Sequence, residues 1–529
     1  MTSRPAKRID RSERLRVREA LERVIASPDF DTSRRSRDFL RFIVEEALAG
    51  RGEAITQAAI ATRVFGRRED FDPVVDPIVR IQAGRLRRSL ERYYLLSGAG
   101  DPLRIDLARG TYVPAFRPRA ESEVADGPVR APAAPASPPD DWPAVVVGVF
   151  ERSAREGKQE ALATRLEEEL AAELGRYRDV RVVLRYELER LEPSRRAAAR
   201  FTLSGRIRGA DGDWLVTARL VDRATGGQVW AEEYGTAAGA GRAGGSPEDV
   251  ARVIAAAIAS EEGAVLQLLA GEYRKKPVES TPFAAILRSY DFFLARVPGS
   301  LVSAVEALRK VVAVEPECGP AWTRLARLCL ANHAFEVAPI LTPIDEAIGH
   351  ALNGVRLEPA SRRARCVLAA ALLVKGELAS ARQEVEQALR LNPGSLVYLE
   401  MIGFLLTLLG DWERGPALCR TARERNPHCL PQVLIGLWFD HLRRGELESA
   451  YQAALEYRDP TSFWRAVMRA SCLGLLGRVP EARSEVAEIL RVKPDFTVRG
   501  RTLIGHYIKF PEVMSRIAEG LARAGLELA

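Results

Sequence analysis

Apolar positions spaced three and four apart predict helices over about 12–26, 34–49 and 56–65. A longer helix begins after Asp76-Pro77, where proline suits the first turn. In it Val79, Ala83, Leu86, Leu90 and the pair Tyr93/Tyr94 fall on one stripe that reads as buried. Ile81, Arg85, Arg88 and Arg92 lie on the opposite face, with Arg80 and Arg87 on a flank. After Gly98 and Gly100, the runs PLRIDL and TYVPAF predict two short strands around a tight turn at Ala108-Arg109-Gly110.

The next segment changes period. PAVVVGVF at 143–150 is a near-continuous apolar run, as in a buried strand, followed by a helix near 158–175 and a strand at 179–184. ARFTLSGRI, DWLVTARLVD and GQVWAEEY then read as three strands, with turns at Ala210-Asp211-Gly212-Asp213 and Thr225-Gly226-Gly227. The acidic run Glu167-Glu168-Glu169 is expected on a solvated helix face. Residues 235–249 are a Gly-rich connector ending in Ser246-Pro247, a helix start, so 246–275 is expected to be a helical bridge.

The rest of the chain repeats. Pro316, Pro359, Pro393, Pro427, Pro460 and Pro494 are separated by 43, 34, 34, 33 and 34 residues. Twelve positions before them stand Ala304, Ala347, Ala381, Gly415, Glu448 and Ala482. Ala369, Gly403, Gly436 and Ala470 stand 24 before the last four prolines, and Gly376, Gly410 and Gly477 stand 17 before theirs. Small residues at these offsets let two antiparallel helices approach closely, and proline ends the second. About nine extra residues around Pro339–Pro343 lengthen one turn, and Glu448 breaks the small-residue rule. The closing IAEGLARAGLELA is expected to cap the array, and residues 278–529 are expected to fold alone.

Composition narrows the classes. A chain of 529 residues at about 150 per domain suggests three or four domains. With 47% hydrophobic and 28% charged residues, neither disorder nor a collagen-like fold describes it. The most apolar stretch, Ala251 to Ala270, is broken by Glu261 and Glu262, and the basic N-terminus lacks the apolar core of a signal peptide. Both features lead to an expectation of a cytoplasmic protein with no membrane span. The six cysteines (Cys318, Cys329, Cys366, Cys419, Cys429 and Cys472) form no CxxC pair, so buried thiols are expected. Charge is uneven: residues 1–119 hold 25 Lys and Arg against 17 Asp and Glu, or +8, within a total of +7. The excess points to a polyanionic partner for that segment alone.

The stretch DPIVRIQAGRLRRSLERYY…PLRIDLARGTYVPAF resembles the OmpR-type winged helix, and residues 30–116 resemble an N-terminal domain of proteobacterial repeat proteins of the adenylate cyclase-like group. The matching residues include Phe30, Ser33, Phe39-Leu40, Val64-Phe65-Gly66, Phe71-Asp72-Pro73, Asp76-Pro77, Arg85-Leu86-Arg87, Tyr93-Tyr94, Gly110 and Tyr112. FTLSGRI…LVTARLVDRATGGQVWAEEY resembles the N-terminal domain of TolB and FlgO-like modules, and the 34-residue period resembles the tetratricopeptide (TPR) repeat. These resemblances imply a multidomain chain: a winged helix-turn-helix over 1–119, a linker over 120–141 and a small α/β domain over 142–236. A Gly-rich linker and bridging helix follow over 237–279, then an all-α TPR solenoid over 280–529.

The expected function follows from these parts. Double-stranded DNA would bind 1–119, with Arg85 and Arg88 at base edges and Arg80, Arg87, Arg92 and Arg109 on phosphates. Thr56 and Gln57 open the preceding helix, whose free N–H groups suit a phosphate. An unknown protein, peptide or small ligand would enter a groove lined by Arg363, Cys366, Val397, Glu400, Phe404, Trp464 and Val467. The chain reads as a transcription regulator; the alternative is a non-catalytic adenylate cyclase-like scaffold whose N-terminal domain binds protein. No cofactor, metal or enzyme activity is expected, because GxSxG and HExxH are absent and no segment has room for a cyclase domain. Homo-oligomerisation is left open.

Overall fold

The computed structural model describes residues 11–27, 30, 34–68, 71, 78–96, 98, 101–108, 111–118, 142–152, 157–188, 190–191, 196, 199–208, 214–236, 246–274, 281–295, 298–391, 394–426, 429–459 and 462–529. The chain divides into two units, Met1–Ala133 and Ala134–Ala529.

The first unit holds α1 (Arg11–Ala26), α2 (Arg34–Leu48), α3 (Gln57–Arg63) and α4 (Ile78–Leu96), then the antiparallel strands β1 (Leu103–Asp106) and β2 (Ala115–Pro118). Val17, Leu21, Phe39, Leu40, Ile43 and the α4 stripe from Val79 to Tyr94 close one core. Tyr94 anchors the hairpin to α4, its hydroxyl accepting from Ile105 N at 2.8 Å. Arg109 and Gly110, two of the three residues of the turn expected at Ala108-Arg109-Gly110, lie outside the described residues. β2 begins only at Ala115, so the connection runs from Leu107 to Pro114.

The second unit begins with β3 (Ala144–Arg152), α5 (Gly157–Gly175), β4 (Arg181–Leu184), the single turn α6 (Arg185–Leu188), β5 (Phe201–Arg208), β6 (Leu215–Asp222) and β7 (Gln228–Gly235). The strands form one sheet in the order β4-β3-β5-β6-β7, with β3 parallel to both neighbours and β5, β6 and β7 antiparallel. Glu167 is not on a solvated face: its carboxylate accepts from Phe150 N at 2.9 Å, beside the register shift in β3.

Two helices follow, α7 (Pro247–Ala259) and α8 (Ala264–Tyr273). Ser246 caps α7 by accepting from Asp249 N at 3.2 Å, with Pro247 in the first turn. By length and composition Pro247–Tyr273 is apolar enough to cross a membrane, despite the charges of Glu261 and Glu262 within it. In this fold the segment is interior: 67% of its most apolar window is buried, and it breaks at Ser260–Gly263.

Helical hairpins make up the remainder: α9 (Pro282–Ala295) with α10 (Pro298–Val314), α11 (Gly319–Phe335) with α12 (Ile344–Leu357), and α13 (Arg362–Lys375) with α14 (Leu378–Arg390). They continue with α15 (Leu399–Leu408) and α16 (Arg414–Arg425), α17 (Gln432–Arg444) and α18 (Leu447–Glu456), and α19 (Phe463–Leu475) and α20 (Val479–Val492). α21 (Phe496–Gly505) and α22 (Pro511–Arg523) close the array. Ala304, Ala347, Ala369, Ala381, Ala470 and Ala482 are fully buried, as their spacing predicts. The break at Glu448 has a local cause. Glu448 is exposed and Ala450 takes the buried place, while the turn glycine is Gly445 at φ 78°; both are displaced by two residues from the repeat. The extra residues after α11 are held by Asn332, which donates to Ile340 O at 2.8 Å and accepts from Ala338 N at 2.8 Å.

The sheet and the hairpins belong to the same unit, and their contacts include a buried ionic cluster as well as the aromatic pair Trp142–Phe283. This bears on the expectation that 278–529 folds alone, because three arginines of the array have their carboxylate partners outside that fragment.

Candidate functional site

The inner side of the array is partly filled by the chain itself. α11 supplies Arg324 and Arg327, and α13 supplies Arg363. Glu261, in the break between α7 and α8, meets all three: 2.7 Å from Arg324, 3.7 Å from Arg363, and in direct contact with Arg327. The Tyr398 hydroxyl donates to the same carboxylate. Asp179, ahead of β4, accepts from Arg363 Nη1 at 2.6 Å and lies 3.8 Å from Arg324. Two rings cover the cations, with Arg324 4.0 Å from the centroid of Tyr290 and Arg327 3.9 Å from that of Phe293. Burial pushes the Glu261 carboxyl up, but the three guanidiniums and Tyr398 outweigh it and hold the group well below the usual carboxylate range.

Beyond this cluster the first helices of successive hairpins enclose a recess of about 280 Å³. Phe292, Phe293, Phe335, Phe404, Phe463, Trp464 and Tyr507 give it an aromatic wall, with Cys366, Ala370, Met401 and Gln432 between them. Phe335 stacks on Tyr507 with centroids 5.7 Å apart, and Phe463 stacks on Trp464 at the same distance. At the rim Lys493 donates to Glu336 at 2.7 Å.

Of the groove residues read from the sequence, Cys366, Phe404 and Trp464 line the recess. Arg363 is committed to Asp179. Val397 is buried, and its carbonyl accepts from Arg362 at 2.9 Å. Val467 is fully buried core, not groove lining. Glu400 lies outside the lining, and burial raises its carboxyl to about 7. The unfolded chain releases this proton in the ordinary carboxylate range, so stability should fall as pH climbs from there to about 7 and level off above. Glu400→Gln should remove that slope and stabilise the protein at pH 8 by about 1–3 kcal/mol, read from urea midpoints across pH.

The spacing argument missed Phe335, Phe463, Tyr507 and Gln432. Phe335 ends the helix before the insertion and Tyr507 follows the last full repeat, so neither has a repeat partner to align with.

In the first unit, α4 places Arg80 on the surface. Arg87, expected on phosphate, is instead spent within the fold: it donates to Leu107 O, Ala108 O and Thr111 O at 2.9, 3.1 and 2.9 Å, holding the hairpin connection against α4. Thr56 caps α3 by accepting from Ala59 N at 3.2 Å, so part of the expected phosphate site at Thr56 and Gln57 is satisfied internally. The side chains of Arg85, Arg88 and Arg92, and all of Arg109, lie outside the described residues.

One described group could in principle hold a metal: ligand atoms of Cys329, Glu346 and His350 lie within 4.8 Å of one another. The donor set fits poorly. Glu346 already accepts from Arg309 at 2.9 Å, and burial pushes the Cys329 thiol up to about 12. All six cysteines are free thiols.

No family model matches the chain, and no curated protein matches it. Similar solved structures include a chain of the APC/C hetero-tetramer Cut9-Hcn1, at 12% identity and TM-score 0.33, over 52% of this chain and 48% of that one. This chain thus spans about half the length of that relative. YrrB, described as a TPR protein with an unusual peptide-binding site, is similar at 17% identity and TM-score 0.23, over 39% of this chain and 100% of its own. A tetratricopeptide repeat protein from Parabacteroides merdae is similar at 18% identity and TM-score 0.28, over 46% and 91%.

Proposed function

We propose that the chain is a non-enzymatic, cytoplasmic transcription regulator: a winged helix over residues 1–119 binds double-stranded DNA, and a TPR array holds a protein, peptide or small-molecule effector. The observation that carries the DNA reading is the join between α4 and the hairpin. A long helix is followed at once by two antiparallel strands, and Arg87 and Tyr94 lock one to the other. A helix and wing that move as one body suit major-groove docking. The charge excess of +8 over 1–119 supports the same reading.

The test is retention of full-length protein on randomised duplex DNA at two salt concentrations. Arg85→Ala and Arg88→Ala should each cost about 1–3 kcal/mol on the selected sequence. Arg80→Ala and Arg109→Ala should weaken all sequences alike, each lowering the salt slope by roughly one ion. Arg87→Ala should act through a loosened hairpin, visible as a lower melting temperature. No selective retention by the wild-type protein would leave the protein-binding scaffold as the better reading.

A further inference from the structure

We infer that the segment from Lys493 to Tyr507, with α21 at its centre, is a latch that opens and closes one mouth of the array, and that Glu336 holds it shut. The inference does not depend on what the array binds. Its starting point is a backbone outlier. Where α13, α15, α17 and α19 end, the residue in the left-handed region is a glycine: Gly376 at φ 90°, Gly410 at 82°, Gly445 at 78° and Gly477 at 76°. Where α11 ends, that conformation is taken by Glu336, at φ 50° and ψ 49°. The left-handed backbone strains any residue with a side chain and spares glycine, so Glu336 needs a compensating contact.

The contact spans the mouth. The Glu336 carboxylate accepts from Lys493 at 2.7 Å and from Arg499, residues 157 and 163 positions further along the chain. Lys493 also meets Asp495 at 3.4 Å, so Arg499 is the better partner to vary. Beside them Phe335 stacks on Tyr507, and the rings of His333 and His506 lie 5.1 Å apart. Burial pushes both imidazoles below the ordinary histidine range, so at neutral pH this pair adds no charge. The two sides of the latch are also walls of the recess: Phe335, Glu336 and Val337 on one, Val492, Lys493 and Tyr507 on the other. Parting them widens the way in.

Beyond Tyr507 the chain is fastened along the rim. Lys509 donates to Val374 O at 3.2 Å, Arg516 to Leu442 O at 3.3 Å and Arg523 to Leu475 O at 3.5 Å. These carbonyls lie in the last turns of α13, α17 and α19, where the helix dipole favours a cation. α22 is held further by the close approach of Gly520 to the Ser471 backbone. α21 is attached differently. It meets α11 through side chains that water reaches, Glu336 being 32% and Arg499 44% exposed, so salt weakens the contact. It also carries part of its own cover: Ala529 N donates to Thr497 O at 3.0 Å, and Arg501 donates to Ala529 O at 3.2 Å. A short helix held this way can open while the hairpins stay folded.

The experiment is amide hydrogen exchange of the full-length protein, read by mass spectrometry on peptides from α21, the end of α11 and α13, at low and high salt. In the wild type α21 is expected to exchange faster than α13, and faster still in high salt. Glu336→Gln and Arg499→Gln should each speed α21 at least threefold and leave α13 unchanged. Because they break one shared contact, the double variant should gain less than the product of the singles. Glu336→Gly separates a latch from a merely structural contact. It relieves the backbone where α11 ends, so peptides there should keep their protection while α21 speeds up. Exchange of α21 in step with α13, in the wild type or the variants, would overturn the latch, as would loss of protection at both ends in Glu336→Gly. An unchanged α21 rate in Glu336→Gln and Arg499→Gln, or a double variant equal to the product, would overturn the part given to Glu336.

Discussion

Glu261→Gln is expected to lower the unfolding free energy of the second unit by about 3–5 kcal/mol, the range for breaking a buried ion pair from one side. The substitution leaves the amide in the space of the carboxylate, so shape is kept and charge is lost. Arg324, which is fully buried, would then have only Asp179 at 3.8 Å as a counter-charge among the described residues, and Arg327 would lose its carboxylate. Surface pairs of the array such as Arg491–Glu488 should be worth little by comparison, since water and salt screen them. The penalty should persist in high salt, because the pair is shielded from solvent. A double variant with Arg327→Gln should cost less than the sum of the singles, as expected for residues in contact. The measurement is the urea midpoint of each variant at low and high salt; additive losses would mean that the cluster does not act as a unit. The same reasoning reverses the expectation for residues 278–529. Cut from Glu261 and Asp179, the fragment should be far less stable than the intact unit.

That cluster shows where sequence reading stops. Glu261 and Glu262 stood out along the chain only as charges in an apolar run, and a pattern in one dimension reads them as interruptions. Their meaning depends on arginines that fold back from far along the chain: Arg327 is 66 positions from Glu261, and Arg363 is 184 from Asp179. No local period encodes such a pairing. The hairpins were legible because their determinants are local. A small residue twelve before all but one of the prolines and a glycine seventeen before three of them are requirements of one helix turn on the next, and they hold at Ala381, Gly376 and Gly410. Arg87 lies between these cases. Its place on the flank of α4 was readable, but its three carbonyl partners lie in a connection whose length the alternation of apolar residues did not predict. The aromatic wall was half visible, through Phe404 and Trp464, which occupy repeat positions, and hidden where Phe335 and Tyr507 do not.

The tightest helix crossing in the array gives a second large effect, and its sign opposes helix propensity. Alanine in place of glycine inside a helix ordinarily gains about 0.5–1 kcal/mol. At Gly474, in α19, an added Cβ would lie 1.9 Å from the carbonyl oxygen of Gly520 in α22. From the other side, a Cβ on Gly520 would lie 2.2 Å from the carbonyl oxygen of Ser471. Both obstacles are backbone, so no rotamer change relieves them and the helices must separate. Gly474→Ala and Gly520→Ala are each expected to destabilise by about 1–3 kcal/mol or more, the cost of overpacking a filled interior. Gly349→Ala is the contrast: that helical glycine has nothing within 4 Å of its added Cβ, so the variant should be neutral or more stable. Denaturation midpoints of the three variants decide it, and a stabilised Gly474→Ala would refute the close crossing. The consequence reaches the recess. α22 follows directly on the segment carrying Tyr507, which stacks on Phe335, and Phe510, which packs 4.9 Å from Trp412. Moving α22 outward should draw Tyr507 away from Phe335 in both glycine variants, whereas Gly349→Ala should leave that stack in place.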